Sequence, residues 1–228
     1  QGIDSIIAIG GGSVMDAAKV FFAGISIKNK NTIDLINHNK EIKNNLVSIF
    51  IPTTHGTGSE VTMWGTVWDM KNQIKYSISH KNLYPNYAIL DYRLTESMPK
   101  ELSLITSMDA LSHSLESIWN VNKNDISTKY AIEAISLIVN TYRNNTDCIF
   151  KNTDRKNLLY ASTYAGLAFS NTKTAIAHSI SYPLTMKYNI PHGLASSITL
   201  IPLLKLSKGV ISSELKLIYE KLDIKTME

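Results

Sequence analysis

Ile6-Ile7-Ala8-Ile9-Gly10-Gly11-Gly12-Ser13-Val14-Met15-Asp16-Ala17-Ala18-Lys19-Val20-Phe21-Phe22 is the stretch on which the fold turns. A short apolar run ends in three glycines and a serine, and a pattern of helical period follows. Strand, glycine turn, helix is a unit of α/β architecture. Glycines let the backbone pass close to a bulky anion, and the following helix offers free N–H groups and its positive end. Many tight strand-to-helix turns need glycine and bind nothing. The spacing is also not the G-x-G-x-x-G of the Rossmann fingerprint.

Working outward, Leu46-Val47-Ser48-Ile49-Phe50-Ile51 reads as a second buried strand. It runs into Pro52-Thr53-Thr54-His55-Gly56-Thr57-Gly58-Ser59-Glu60, a loop that can offer several O–H and N–H groups to one ligand. Ser/Thr-rich turns without a ligand are commoner. Two such loops, each following a strand, nevertheless favour a ligand, because open α/β sheets bind at the carboxyl ends of their strands. Thr62 to Asp69, Ile74 to Ser79 and Ala88 to Leu90 read as further strands, with Lys75 facing either solvent or an anion. Beyond Leu94 the pattern turns helical, over Leu102 to Trp119, Ile126 to Thr141 and Arg155 to Ser170. A boundary near Leu94 divides a partial α/β domain, 1–94, from a helical domain, 95–228.

The chemistry gathers in that helical half. In Asp109-Ala110-Leu111-Ser112-His113 the carboxylate and the imidazole stand four apart, so on a helix they leave one face. His178 and His192 lie fourteen apart with Pro183 and Pro191 between them, a spacing that suits a helix end, a turn and a return. One oxygen and three nitrogens suit Fe(II) or Zn(II) and leave room for a substrate oxygen. Taken singly, an Asp or His on a helix is usually a surface group or a satisfied core residue. Context favours the metal: His113 sits between Leu111 and Leu115, and His178 precedes an apolar run. A polar group placed there needs a partner.

Composition narrows the class. The chain has 228 residues, 44% of them hydrophobic, and a formal charge of +4. No Lys/Arg cluster with interleaved aromatics is present, which argues against nucleic acid as a partner. The segment Ile27 to Asn45 reads as solvated surface. A single cysteine, Cys148, excludes an intrachain disulfide and fits a reducing compartment. No apolar run has membrane-span length and no signal peptide opens the chain, so a soluble cytoplasmic protein is expected. The chain begins at Gln1 and enters a strand directly, as an excerpt of a longer fold would.

Three phrases together resemble the iron-containing (group III) alcohol dehydrogenase family. They are Gly10-Gly11-Gly12-Ser13 with Asp16, Pro52 through Thr62, and Asp109 to His113 with the two later histidines. The resemblance implies an N-terminal dinucleotide-binding α/β domain, here partial, and an all-helical C-terminal metal-binding domain with the site between them. It implies Asp109, His113, His178 and His192 as ligands of Fe(II) or Zn(II). It implies Gly11, Gly12 and Ser13 at the pyrophosphate of NAD or NADP, with Thr53 and Thr54 along the adenosine side and Lys75 near the cofactor. Asp16 and Thr57 complete the expected cofactor-binding set. A homo-oligomer, a dimer or larger, is implied as well.

Two departures stand out. Tyr182 occupies the position where many members carry a histidine that relays a proton, and a tyrosine of unperturbed pKa ~10 is a poor base at neutral pH. His55 stands where small residues are usual. Both are expected participants in proton delivery, Tyr182 before His55. Trp64 to Asp69, Glu116 to Asn120 and His178 to Pro183 resemble the branch containing phosphonoacetaldehyde reductases. That implies reduction of phosphonoacetaldehyde to 2-hydroxyethylphosphonate, with Lys75 and Asn120 as candidates for the phosphonate. The alternatives are a generic dehydrogenase of short-chain alcohols, a dehydroquinate-synthase-like lyase, or an inactive metal-binding fragment.

Overall fold

The computed structural model describes residues 2–26, 42, 46–69 and 71–225. Strand β1 (Ser5–Gly10) ends on the first glycine of the turn, and helix α1 (Gly12–Ser26) starts two residues later. Strands β2 (Val47–Pro52), β3 (Trp64–Asp69), β4 (Ile74–Ser79) and β5 (Tyr87–Ala88) follow. β1, β2 and β5 form a parallel sheet in that order, with Gly10 opposite Pro52 at the end where both ligand loops begin. β3 and β4 form a separate antiparallel pair, Trp64 opposite Ser79 and Trp68 opposite Lys75.

Met15, Lys19, Phe22 and Ala23 recur at helical spacing on α1 and are all buried. Met15 packs with Ala8 and Phe50, whereas Phe22 and Ala23 pack with Ile78 and Leu83. Ile7 and Ile9 leave the other face of β1 and are exposed, so that apolar run is buried on one side only. The stretch from Ile27 to Asn45 lies, apart from Ile42, outside the described residues.

From Lys100 onward every described element is helical: α2 (Lys100–Trp119), α3 (Asp125–Asn144), α4 (Asn152–Thr172), α5 (Ile176–Tyr188), α6 (His192–Ser197), α7 (Leu200–Ser207) and α8 (Ser212–Leu222). An N-terminal box starts α3, where the Ser127 N–H donates to Asn124 Oδ1 at 2.9 Å and the Asn124 N–H to Ser127 Oγ at 3.0 Å. Alanines 110, 134, 161 and 165 let α2, α3 and α4 close on one another around Ile138 and Leu158. The expected helices are present, each longer than its apolar pattern. Pro183 is an exception to expectation: it lies inside α5 instead of ending a helix. The reversal comes later, at Asn189 in the left-handed conformation (φ 54°), a position asparagine tolerates.

The α/β half and the helical half meet through glycine. Gly58 (φ 57°) lies so close to Gly166 on α4 that a Cβ on Gly58 would stand 2.5 Å from the Gly166 Cα. No side chain fits at either place, and the loop after β2 is thereby laid across α4. Beside it the buried Glu60 accepts a hydrogen bond from Thr163 Oγ1 on α4 at 2.8 Å. No single helix among the described residues is long and apolar enough to cross a membrane.

Candidate metal centre and its cleft

Helix α2 is amphipathic in an unusual sense, because its buried face is largely polar. Ser112, Ser114 and Ser117 are buried, and each hydroxyl donates to the carbonyl four residues back at 2.8 Å. They satisfy themselves and need no outside partner. Asp109, His113 and Glu116 stand at i, i+4 and i+7 on the same helix and are also buried.

Asp109, His113 and His178 each bring a donor atom to within 4.8 Å of the others. His178, in the first turn of α5, points Nε2 at Asp109 Oδ1 across 3.5 Å. His192, the first residue of α6, places Nε2 3.8 Å from the same oxygen. The His113 ring is sandwiched between Phe169 (4.2 Å) and His178 (4.5 Å), and the His178 and His192 rings meet edge-on at 5.5 Å. Three of these groups, from two helices, thus gather on one point, and His192 on a third helix borders it through its 3.8 Å approach to Asp109. A close backbone approach makes the last of them possible. A Cβ on Gly193 would stand 1.9 Å from the Ile105 carbonyl oxygen, so only glycine lets α6 lie this tightly on α2. Ser196 of α6 adds a hydrogen bond to Asp109 Oδ1 at 3.3 Å.

The charges at this point are strongly coupled. Burial alone would raise the Asp109 carboxyl, yet the imidazoles of His113, His178 and His192 around it hold it far below the ordinary carboxylate range. Burial pulls His113 down to about 4 against the attraction of Asp109. Burial disfavours a charged His178 too, but the neighbouring carboxylates of Asp109 and Glu116 push it up to about 9. The buried His178 Nε2 and His113 Nδ1 have no hydrogen-bond partner. A divalent cation fits this donor set, one carboxylate and three imidazoles, and relieves the unpartnered His178 nitrogen.

The sequence reading missed Glu116. It is fully buried, its Oε2 lies 2.5 Å from His178 Nδ1, and its Oε1 accepts from the backbone N–H groups of Ala177 (2.7 Å) and His178 (3.2 Å). Its place seven residues after Asp109 was the available signal.

The cluster opens on a cleft of about 660 Å³ that Gly12, Ser13, Asp16 and Thr57 also line. The glycine turn and the loop after β2 lie against each other: the Thr53 N–H donates to Gly10 O at 2.9 Å, and a Cβ on Gly12 would stand 2.8 Å from Thr57 Oγ1. A Cβ on Gly11 would stand 3.1 Å from Thr54 Oγ1. Gly12 and Ser13 are among the residues that line this cleft, and Gly11, Thr53 and Thr54 are not.

Asp16 reaches the cleft, but its carboxylate is engaged by Ser59 Oγ (2.8 Å) and the Thr66 N–H (3.1 Å). Burial raises its pKa despite the nearby Lys19. Lys19 is wholly buried and donates to Ser59 O, Ser59 Oγ, Thr62 Oγ1 and Trp64 O, between 2.7 and 3.2 Å. Burial lowers it to about 8 in spite of Asp16 and Glu60. Together they bind α1, the Ser59–Val61 turn and β3 into one body.

On the far wall Lys75 lies over Tyr182 with its ammonium 3.7 Å from the ring centre, and Tyr182 stacks on His192 at 6.2 Å. All three line the cleft, as do Trp68, Lys173 and Thr174. Two expectations change. His55 is fully buried, with Nδ1 3.4 Å from the hydroxyls of Thr106 and Ser107, and is not among the cleft-lining residues. It braces α2 where a proton carrier was expected. Asn120 likewise turns away, donating to the Lys173 carbonyl at 3.2 Å. Its reach to the cleft is through Lys173.

Comparison with known proteins gives the family. The model of the Fe-containing alcohol dehydrogenase family, C-terminal, matches residues 103–228, and that of iron-containing alcohol dehydrogenase matches residues 1–92. The chain belongs to the iron-containing alcohol dehydrogenase family. Within that family it is 34% identical to an NADPH-dependent butanol dehydrogenase of Clostridium saccharobutylicum, over 86% of this chain and 51% of that protein. The crystal structure of an iron-containing alcohol dehydrogenase of Thermotoga maritima superimposes with a TM-score of 0.86 at 32% identity. That match covers 98% of this chain and 61% of the other. A sulfoacetaldehyde reductase of Bifidobacterium kashiwanohense in complex with NAD+ gives a TM-score of 0.83 at 28% identity, over 99% and 67% of the two chains. The chain spans about half the length of the curated relatives it matches.

Proposed function

We propose that this chain is the catalytic part of a metal-dependent, NAD(P)-linked alcohol dehydrogenase working as an aldehyde reductase. Within that class we propose phosphonoacetaldehyde, reduced to 2-hydroxyethylphosphonate, as its substrate. One observation carries the proposal: Asp109, His113, His178 and His192 open on the same cleft as Gly12 and Ser13. The division near Leu94 belongs to the same proposal, the first part holding the nicotinamide dinucleotide and the second the metal.

Gly12 and Ser13 offer the first N–H groups of α1 to a pyrophosphate, at the positive end of a 15-residue helix. Asp109, His113, His178 and His192 would hold a divalent iron or zinc, which when bound polarises a carbonyl oxygen as a Lewis acid. The reaction is balanced by one hydride from the reduced nicotinamide and one proton, giving the alcohol and the oxidised cofactor. Tyr182, stacked on His192, presents a hydroxyl as the donor or relay of that proton. Trp68 and Phe169 close the cleft and limit water.

The phosphonate is supported by charge on the cleft wall. Lys75 lies over the Trp68 and Tyr182 rings and is in none of the ion pairs among the described residues, although its charge also acts on Asp16 across the cleft. Lys173 and Thr174 stand on the same cleft. A cation facing the cleft without a carboxylate in direct ion-pair contact suits an anionic head group. A relative's reduction of sulfoacetaldehyde, also an aldehyde with an anionic head, supports the same class of substrate.

The test is a side-by-side assay of the full-length protein with phosphonoacetaldehyde and butanal, each with NADH and NADPH. The proposal expects kcat/KM for phosphonoacetaldehyde to exceed that for butanal by at least about tenfold, the worth of one charge-assisted contact. A preference for butanal returns the protein to the short-chain alcohol dehydrogenases.

A further inference from the structure

Glu116 is the one fully buried carboxylate on α2 that touches a candidate ligand without being placed to touch the cation. Its two oxygens have different tasks. Oε1 takes the N–H groups of Ala177 and His178, which open α5 and have no acceptor within their own helix. Oε2 takes the His178 Nδ1 side at 2.5 Å. A carboxylate accepts on both oxygens, so the imidazole edge it faces must be the one that carries the hydrogen. That leaves the His178 Nε2 lone pair free, and Nε2 is the buried nitrogen with no partner that points toward Asp109.

We propose that Glu116 is a positioning residue, which fixes His178 in the Nδ1–H tautomer and aims Nε2 at the cation held with Asp109, His113 and His192. The inference rests on the metal reading above. Because Asp109, His113 and Glu116 share one helix, α2 supplies two ligands directly and sets a third, on α5, through the carboxylate. The same contact ties the start of α5 to α2, so the histidine and the helix that carries it are placed together.

Glutamine separates these tasks. Its side chain offers one oxygen and one NH2, so it can serve the helix start or the imidazole hydrogen but not both. With the oxygen at Ala177 and His178, the NH2 faces Nδ1, which must then accept, and the hydrogen moves to Nε2, where it blocks the cation.

The experiment measures zinc affinity of the full-length protein by chelator competition, for wild type and Glu116→Gln. Unfolding midpoints of the metal-free forms are recorded alongside. Loss of an outer carboxylate partner lowers metal affinity roughly 10- to 100-fold. The expected result is a loss of that size in Glu116→Gln, with a metal-free midpoint close to wild type. Wild-type zinc affinity in Glu116→Gln overturns the inference and leaves the metal reading standing. Failure of the wild-type protein to bind zinc or iron overturns both. Should Glu116→Gln not fold, nitrogen-resolved NMR of zinc-loaded wild type decides. A hydrogen on His178 Nδ1 supports the inference, and a hydrogen on Nε2 defeats it.

Discussion

The ammonium of Lys75, on β4, stands 3.7 Å from the centre of the Tyr182 ring on α5, and Tyr182 stacks on His192. A cation from the α/β half is thus held next to the His192 imidazole of the helical half. Lys75→Met keeps much of the aliphatic stem and removes the charge. Its expected effect is a roughly 10- to 100-fold fall in kcat/KM for phosphonoacetaldehyde, with butanal changed by less than about threefold. Steady-state kinetics on both substrates checks this, and an equal loss on both would place Lys75 at the cofactor instead.

Tyr182 has a sharper test in the pH–rate profile. Tyr182→Phe keeps the ring on His192 and removes the hydroxyl. Turnover should fall by a modest factor, on the order of tenfold, and the profile should move. An unchanged profile would take Tyr182 out of the proton path.

Lys19 is buried with four hydrogen bonds and two carboxylates nearby, so its removal leaves acceptors and charge uncompensated. Lys19→Met should cost about 3–5 kcal/mol of stability, read from urea unfolding. A loss below about 1 kcal/mol would mean that the network is dispensable.

His55 sets part of the acid limit. Burial, with the charge of Arg155 adding to it, lowers its pKa from 6.5 to about 4 in the folded protein. Between those values the unfolded chain binds the proton and the folded one resists it, so stability falls as pH drops from about 6.5 toward about 4. His55→Gln should lose less stability than wild type between pH 7 and pH 5, by roughly 2 kcal/mol. His113, lowered to the same value, keeps part of the slope in both proteins. Identical slopes would show that His55 is not held neutral.

Much of this could be read before any coordinates. The glycine turn between an apolar run and a helical pattern located β1 and α1, because local chemistry decides both. Asp109 and His113 could be paired from helical periodicity alone. What periodicity leaves open is which face meets which neighbour. His55 sits in a loop rich in hydroxyls and glycines, and nothing local reveals that its ring turns into α2. Lys19 reads as a surface lysine until the Ser59–Trp64 segment closes over it. Glu116 has the right spacing after Asp109, but its partner lies on α5, 62 residues on. Pro183 misled because an interior proline removes one hydrogen bond and can kink a helix without ending it.

The convergence of four ligands is the claim on which the rest depends, and His192 is its most separable member. The most direct measurement is metal content of the full-length protein, wild type against His192→Ala, with anomalous scattering to locate the ion. The expected result is one iron or zinc per chain between Asp109, His113, His178 and His192, lost with turnover in His192→Ala while helical content stays near wild type. Turnover without bound metal, or an ion held elsewhere, would contradict it.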